Sequence, residues 1–225
     1  MSNNLNDIAI QAKENLEIAK AEKDLASEYK IIAKQELRKA DARKKLAKYE
    51  LELAKDKAEL TVKSKSLVGK KRKVKDILNF STVNLDKETA QADYNEKIAD
   101  IQKQIAEVQN KIAQLEENIA IEKDHLVGKK YKVAKAREKL GKNQQNYVKQ
   151  AKAGGDTEKI MKAEKKYLEQ QKTLMKAEKS ETQKSEEIKK KETKLADFKK
   201  EHAQKLQLRE KIRPPYIKEI ENDVI

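Results

Sequence analysis

The sequence predicts an all-α fold of long antiparallel coiled-coil helices, about three in number, arranged as an elongated rod or hairpin bundle. Three observations carry that prediction. Alanine recurs at every seventh position, from Ala12 through Ala19, Ala26, Ala33, Ala40 and Ala47 to Ala54. A second heptad series, Ile98, Ile105, Ile112 and Ile119, each followed by alanine, restarts later in the chain. Turn material is scarce, with 5 Gly and 2 Pro among 225 residues, too little for a fold of many elements. A strict seven-residue repeat keeps one seam facing a partner only where helices wind left-handedly around each other.

The first helix is expected within 1–78. Most of its alanines follow a branched aliphatic residue, as in Ile18-Ala19, Leu25-Ala26, Ile32-Ala33, Leu46-Ala47 and Leu53-Ala54. The segment from Asn79 to Leu85 breaks the period with β-branched and turn-prone residues, and Asp86 reads as the N-cap of a second helix over 86–152. That helix has the most continuous seam, in which Ile105, Ile112 and Ile119 are expected to form the best-protected core. Glu122 and Lys129 interrupt the seam, and polar residues at core positions of this kind set register or partner choice. A second breaker, Ala153-Gly154-Gly155-Asp156-Thr157, precedes a third helix over 157–212, capped by Asp156 or Thr157. This helix carries a doubled stripe at Ile160, Met161, Tyr167, Leu168, Leu174 and Met175 before thinning to Ile188, Leu195 and Phe198. Arg213-Pro214-Pro215-Tyr216 then favours an extended tail over 213–225. The whole is expected to form one elongated unit.

An internal repeat links the first two helices. Leu67-Val68-Gly69-Lys70-Lys71-Arg72-Lys73-Val74 recurs as Leu126-Val127-Gly128-Lys129-Lys130-Tyr131-Lys132-Val133. At the same offset Leu60 aligns with Ile119, Leu53 with Ile112 and Leu46 with Ile105, so the aliphatic frame is shared. Each copy places a glycine inside helical rhythm, at a cost of about 1 kcal/mol relative to alanine. Two readings stay open: a glycine tolerated at a helix crossing beside solvated lysines, or a patch that contacts a polyanion through Lys70, Lys71, Arg72, Lys73, Lys129, Lys130 and Lys132.

Recognised chemistry is missing from the pattern. Gly69-Lys70 and Gly128-Lys129 lack the first glycine and the hydroxyl of a P-loop. Glu122 and His125 have the spacing that supplies two ligands in di-metal helical bundles, but His202, the other histidine, has Lys199 rather than a carboxylate three residues before it. No nucleophile and base are paired, so no catalytic, cofactor or metal residues, no cofactor and no small-molecule substrate are expected. The 7 tyrosines are scattered and mostly near the stripes, which favours packing over base stacking. With no cysteine, disulfides and thiolate metal sites are excluded. The opening residues lack the basic and apolar regions of a signal peptide, and no stretch is apolar for long enough to span a bilayer. A cytoplasmic location, or the interior of a virus particle assembled there, is the resulting expectation.

Charged residues make up 41% of the chain, and 53 Lys and Arg against 39 Asp and Glu leave a net +14. The mean hydropathy is -1.00. Such a balance favours a polyanionic partner, nucleic acid or an anionic membrane surface, beside self-association or partner helices through the heptad seams. The leading expectation is a non-enzymatic structural protein of a large assembly, such as an internal virion or nucleoid component, that contacts nucleic acid without reading its sequence. In length and charge the chain also resembles BAR-type domains, and the resemblance implies an antiparallel dimer laying basic residues on anionic lipid. It is similar in general character to the rod-like stalk proteins of export ATPases, which implies a shaft or spacer with protein partners.

Overall fold

The computed structural model of the chain describes residues 2–77, 83–154 and 156–214. Three helices, α1 (Ser2–Ile77), α2 (Val83–Lys152) and α3 (Thr157–Lys211), contain nearly all of them, and no strand occurs among the described residues. α1 packs on α2 and α2 on α3, as a helical hairpin bundle requires. The chain divides into two compact units that each take a piece of every helix. One comprises Met1–Lys39 with Asn118–Glu192, the other Ala40–Glu117 with Thr193–Ile225.

In the first unit the alanine column of α1 is its buried edge, with Ala12 and Ala19 at 0% exposure and Ala26 and Ala33 also buried. A matching column on α2, Ala120, Val127, Ala134 and Gly141, is buried too. Gly141 lies against Ala12, because an added Cβ would stand 2.9 Å from the Ala12 carbonyl oxygen. One heptad forward on α1 is one heptad back on α2, so the two small-residue columns run alongside each other, with Glu22 beside Arg137 and Lys23 beside Glu138. Small side chains at every crossing let two helix backbones run close together, which explains why the seam uses alanine.

The second unit repeats the arrangement with Ala40, Ala47 and Ala54 buried on α1 and Ala92, Ala99, Ala106 and Ala113 buried on α2. Leu85, also on α2, is fully buried. Ion pairs beside the columns hold the antiparallel register. Lys23 meets Glu138 in the first unit, and Lys44 meets Glu117 and Lys65 meets Glu96 at 2.6 Å in the second. These pairs are spaced by three heptads on both helices, forward on α1 and backward on α2.

α3 covers a different edge of α2. In the first unit Val133, Ala136, Leu140 and Leu174 form a buried cluster against which Tyr167 and Ala177 pack, and Tyr147 stacks on Tyr167 with centroids 6.0 Å apart. The polar interruptions of the α2 seam face this helix. Lys129 donates to the Ser180 hydroxyl at 2.9 Å and to its carbonyl at 3.1 Å, while Glu122 is held by Lys184 and Lys191. In the second unit Lys199 reaches Glu116 at 2.9 Å and Lys205 donates to Gln104 at 2.9 Å.

The structure corrects several expectations. α2 begins at Val83, so Asp86 lies within its first turn instead of capping it, and it pairs with Arg72 at 3.4 Å. Of the first breaker, 79–85, residues 79–82 lie outside the described residues, as does residue 78 of the expected first helix, and 83–85 belong to α2. Ile105 and Ile119 are buried at 7% and 5%, but Ile112 is only half-buried. Ala113 is the buried member of the Ile112-Ala113 pair, and one turn beyond Ile112 the Glu116 carboxylate is met by Lys199 of α3. Only half of the α3 doublet points inward: Leu174 is buried, whereas Met161, Leu168 and Met175 are exposed. Tyr49 is 68% exposed, so packing does not account for every tyrosine.

The second breaker forms as expected. Gly154 adopts a left-handed φ of 61°, and Asp156 caps α3 by accepting the Glu158 N–H at 3.0 Å. Arg213 and Pro214 are non-helical, and the rest of the 213–225 tail lies outside the described residues.

Candidate polyanion-contacting surface

The two copies of the repeated octapeptide fall in different units and meet different surroundings. In the second unit, Leu67 and Val74 are exposed at 58% and 55%. Lys71 approaches Glu88 at 3.6 Å and Arg72 approaches Asp86 at 3.4 Å, so the start of α2 neutralises half of this cationic run. Lys70 and Lys73 are exposed and form no ion pair or hydrogen bond among the described residues.

In the first unit the same pattern is drawn into packing. Val127 and Val133 are buried at 9% and 3%. Lys129 is committed to Ser180, and the Lys130 ammonium sits 5.1 Å from the centre of the Tyr29 ring. Lys132 is exposed and forms no ion pair among the described residues. It borders an open groove with Lys30, Ser27, His125 and Asp124, floored by Ala26, Val127 and Gly128.

Neither glycine serves close helix approach, because a Cβ at Gly69 or Gly128 would meet nothing within 4 Å. Among the described glycines, Gly141 is the one pressed against a neighbouring backbone. At Gly128 the absent side chain instead keeps the groove floor low. Of the seven sequence-predicted cations, Lys70, Lys73 and Lys132 therefore keep their charge open to a partner. Lys71, Arg72, Lys129 and Lys130 are tied to this chain's own groups. Lys30 was not visible from the repeat, since it joins the groove from α1 across the helix pair.

Glu122 and His125, the pair with metal-ligand spacing, are part of an ion network. Hydrogen bonds from Lys184 and then Lys191 hold the Glu122 carboxyl down at about 2, and His125 Nδ1 lies 3.8 Å from it. Among the described residues no group of three or more His, Cys, Asp and Glu is placed to hold a metal. None of the described helices is long and apolar enough to cross a membrane.

A second network escaped the sequence reading. Arg137 of α2 joins all three helices of the first unit, meeting Glu22 at 2.6 Å and Glu178 at 2.8 Å. Burial raises the Glu22 carboxyl, opposed by Arg137 and reinforced by Glu181 and Glu178. The only hint in the sequence is an arginine directly after the seam residue Ala136. No protein-family model matches this chain, and no curated protein matches it.

Proposed function

We propose that the chain is a non-enzymatic structural protein of a large cytoplasmic or virion assembly that contacts nucleic acid or a similar polyanion through backbone charge, without sequence specificity. The observation that carries this reading is the open groove lined by Gly128, with Lys30 and Lys132 at its border beside a single carboxylate, Asp124. The charge balance supports it as well. Even if every one of the 39 acidic groups neutralised a cation, 53 − 39 = 14 cations would remain. Helices that present charge but no convergent donor and acceptor set suit phosphate contact better than base readout.

The test is binding of a labelled DNA duplex of arbitrary sequence to the full chain at two salt concentrations. Reversing Lys70, Lys73 and Lys132 to Glu is expected to weaken binding and to lower the log-log salt slope by about 0.9 for each phosphate that the protein no longer neutralises. Reversing Lys159, Lys172 and Lys200, three exposed lysines of α3, changes net charge equally and serves as the comparison. Equal weakening in both variants would reduce the patch to bulk charge. Absence of duplex binding near physiological salt overturns the reading, and anionic vesicles or helical protein partners then become the surfaces to test.

A further inference from the structure

The heptad position just before the alanine column leaves an apolar row bare in the second unit. Leu46, Leu53, Leu60, Leu67 and Val74 are exposed at 58%, 54%, 68%, 58% and 55%. Spaced at seven residues, they form one stripe about 42 Å long on a single helix face. The internal repeat supplies a comparison for this stripe. Its counterparts on α2 at the shared offset are Ile105, Ile112, Ile119, Leu126 and Val133, and none of these five is exposed. Where α3 lies over that row, Val133 packs with Leu174. Among the described residues, no helix lies over the α1 copy of the pattern, whose five members are all more than half exposed.

We propose that a second copy of this chain covers the α1 row, antiparallel, with the two-fold axis at Leu60. In that register Leu60 meets its own copy, Leu53 meets Leu67 and Leu46 meets Val74, the self-complementary pairing of an isologous interface. The flanking residues decide the direction. Residues three beyond each row member face their own kind across an antiparallel pair, which sets Asp56 against Lys63 and the exposed Tyr49 against Lys70. Residues four beyond set Glu50 against Lys71. Every charged pair so formed is attractive, and Lys70 gains a ring face. A parallel, in-register pair would instead bring Lys70 of one copy beside Lys71 of the other. The interface goes beyond the proposed polyanion contact, and nucleic acid is left out of its test.

The chain has no cysteine, so single thiols can be introduced into the full-length protein without background. Leu60→Cys, Leu46→Cys and Val74→Cys are treated with a short bismaleimide. Leu60→Cys is expected to give a cross-linked dimer at least tenfold more efficiently than either other variant, because copies of Leu46 would lie about 42 Å apart. An equimolar mixture of Leu46→Cys and Val74→Cys, allowed to exchange subunits, is expected to cross-link to about half the yield of Leu60→Cys, because random pairing makes half of the dimers heterodimers. Light scattering is expected to give twice the 25.9 kDa chain mass. The double variant Leu53→Glu, Leu67→Glu is expected to dissociate at least a hundredfold more readily with unchanged helix content, since both residues are exposed in the single chain. Equal cross-linking at all three positions, a monomer mass for the parent, or a double variant that stays dimeric would each overturn the proposal.

Discussion

Gly141 and Ala12 mark a close approach of two backbones: a Cβ built on Gly141 would stand 2.9 Å from the Ala12 carbonyl oxygen and 2.9 Å from Leu16 Cγ. Most positions of the two columns hold a single methyl, and at Gly141 even that is too much. Gly141→Ala is therefore expected to destabilise the protein, because overpacking of about 1–3 kcal/mol exceeds the helix-propensity gain of about 1 kcal/mol. Gly128→Ala meets nothing within 4 Å and should collect that gain undiminished. Urea unfolding midpoints that move in opposite directions confirm the contrast. A stabilised Gly141→Ala would mean that the helices can part there at no cost.

The α2 seam is uneven, and cavity costs should follow burial. Ile105→Ala, at a site 7% exposed, is expected to cost roughly 2–5 kcal/mol. Ile112→Ala is expected to cost distinctly less, because that side chain is half-buried. Midpoints of the two variants, measured side by side, check the order. Equal destabilisation would mean that Ile112 is as well covered as its neighbour.

This unevenness shows where the sequence was legible and where it was not. Periodicity identified three helices, their order and a cap at Asp156 or Thr157, because heptads, glycines and capping residues act locally. It could not tell which of two adjacent residues in Leu46-Ala47 or Ile105-Ala106 faces the partner, because one helix edge can serve two neighbours. α2 has α1 on one side and α3 on the other, so both members of Ile105-Ala106 are buried, whereas in Leu46-Ala47 only the alanine is. The same limit applies to the candidate cations. The repeat makes Lys70 and Lys129 equivalent, yet Lys129 is bonded to Ser180 because α3 passes that copy.

Arg137 is the hub of the first unit, and its removal leaves Glu22 and Glu178 facing each other across α2 without a counter-charge. Arg137→Met is expected to cost roughly 1–3 kcal/mol at pH 7. Burial already raises the Glu22 carboxyl, and removing the guanidinium takes away the main force that lowers it. Protonating Glu22 relieves the repulsion, so the penalty should shrink as pH falls toward 4. Denaturation of parent and variant at both pH values measures this difference. A penalty that does not change with pH would assign the effect to packing of the arginine stem.

Glu122 and Glu138 are two carboxyls that lysines hold well below their ordinary range. Hydrogen bonds from Lys184 and Lys191 hold the first carboxyl at about 2, and those from Lys23 and Lys142 hold the second at about 2. In the unfolded chain both titrate near about 4.3. A folded value below the unfolded one means that the contribution is present in full above the unfolded value and is lost as pH falls from about 4.5 to about 2. Glu138 pairs with α1 and is the more exposed of the two. Glu122, on the inner edge of α2 against α3, should therefore carry more of the dependence. Glu122→Gln is expected to be less stable than the parent at pH 7 and to approach it at pH 2.5, where the parent has lost the same ion pairs. Parent and variant midpoints that fall in parallel across this range would place the acid sensitivity elsewhere on the chain.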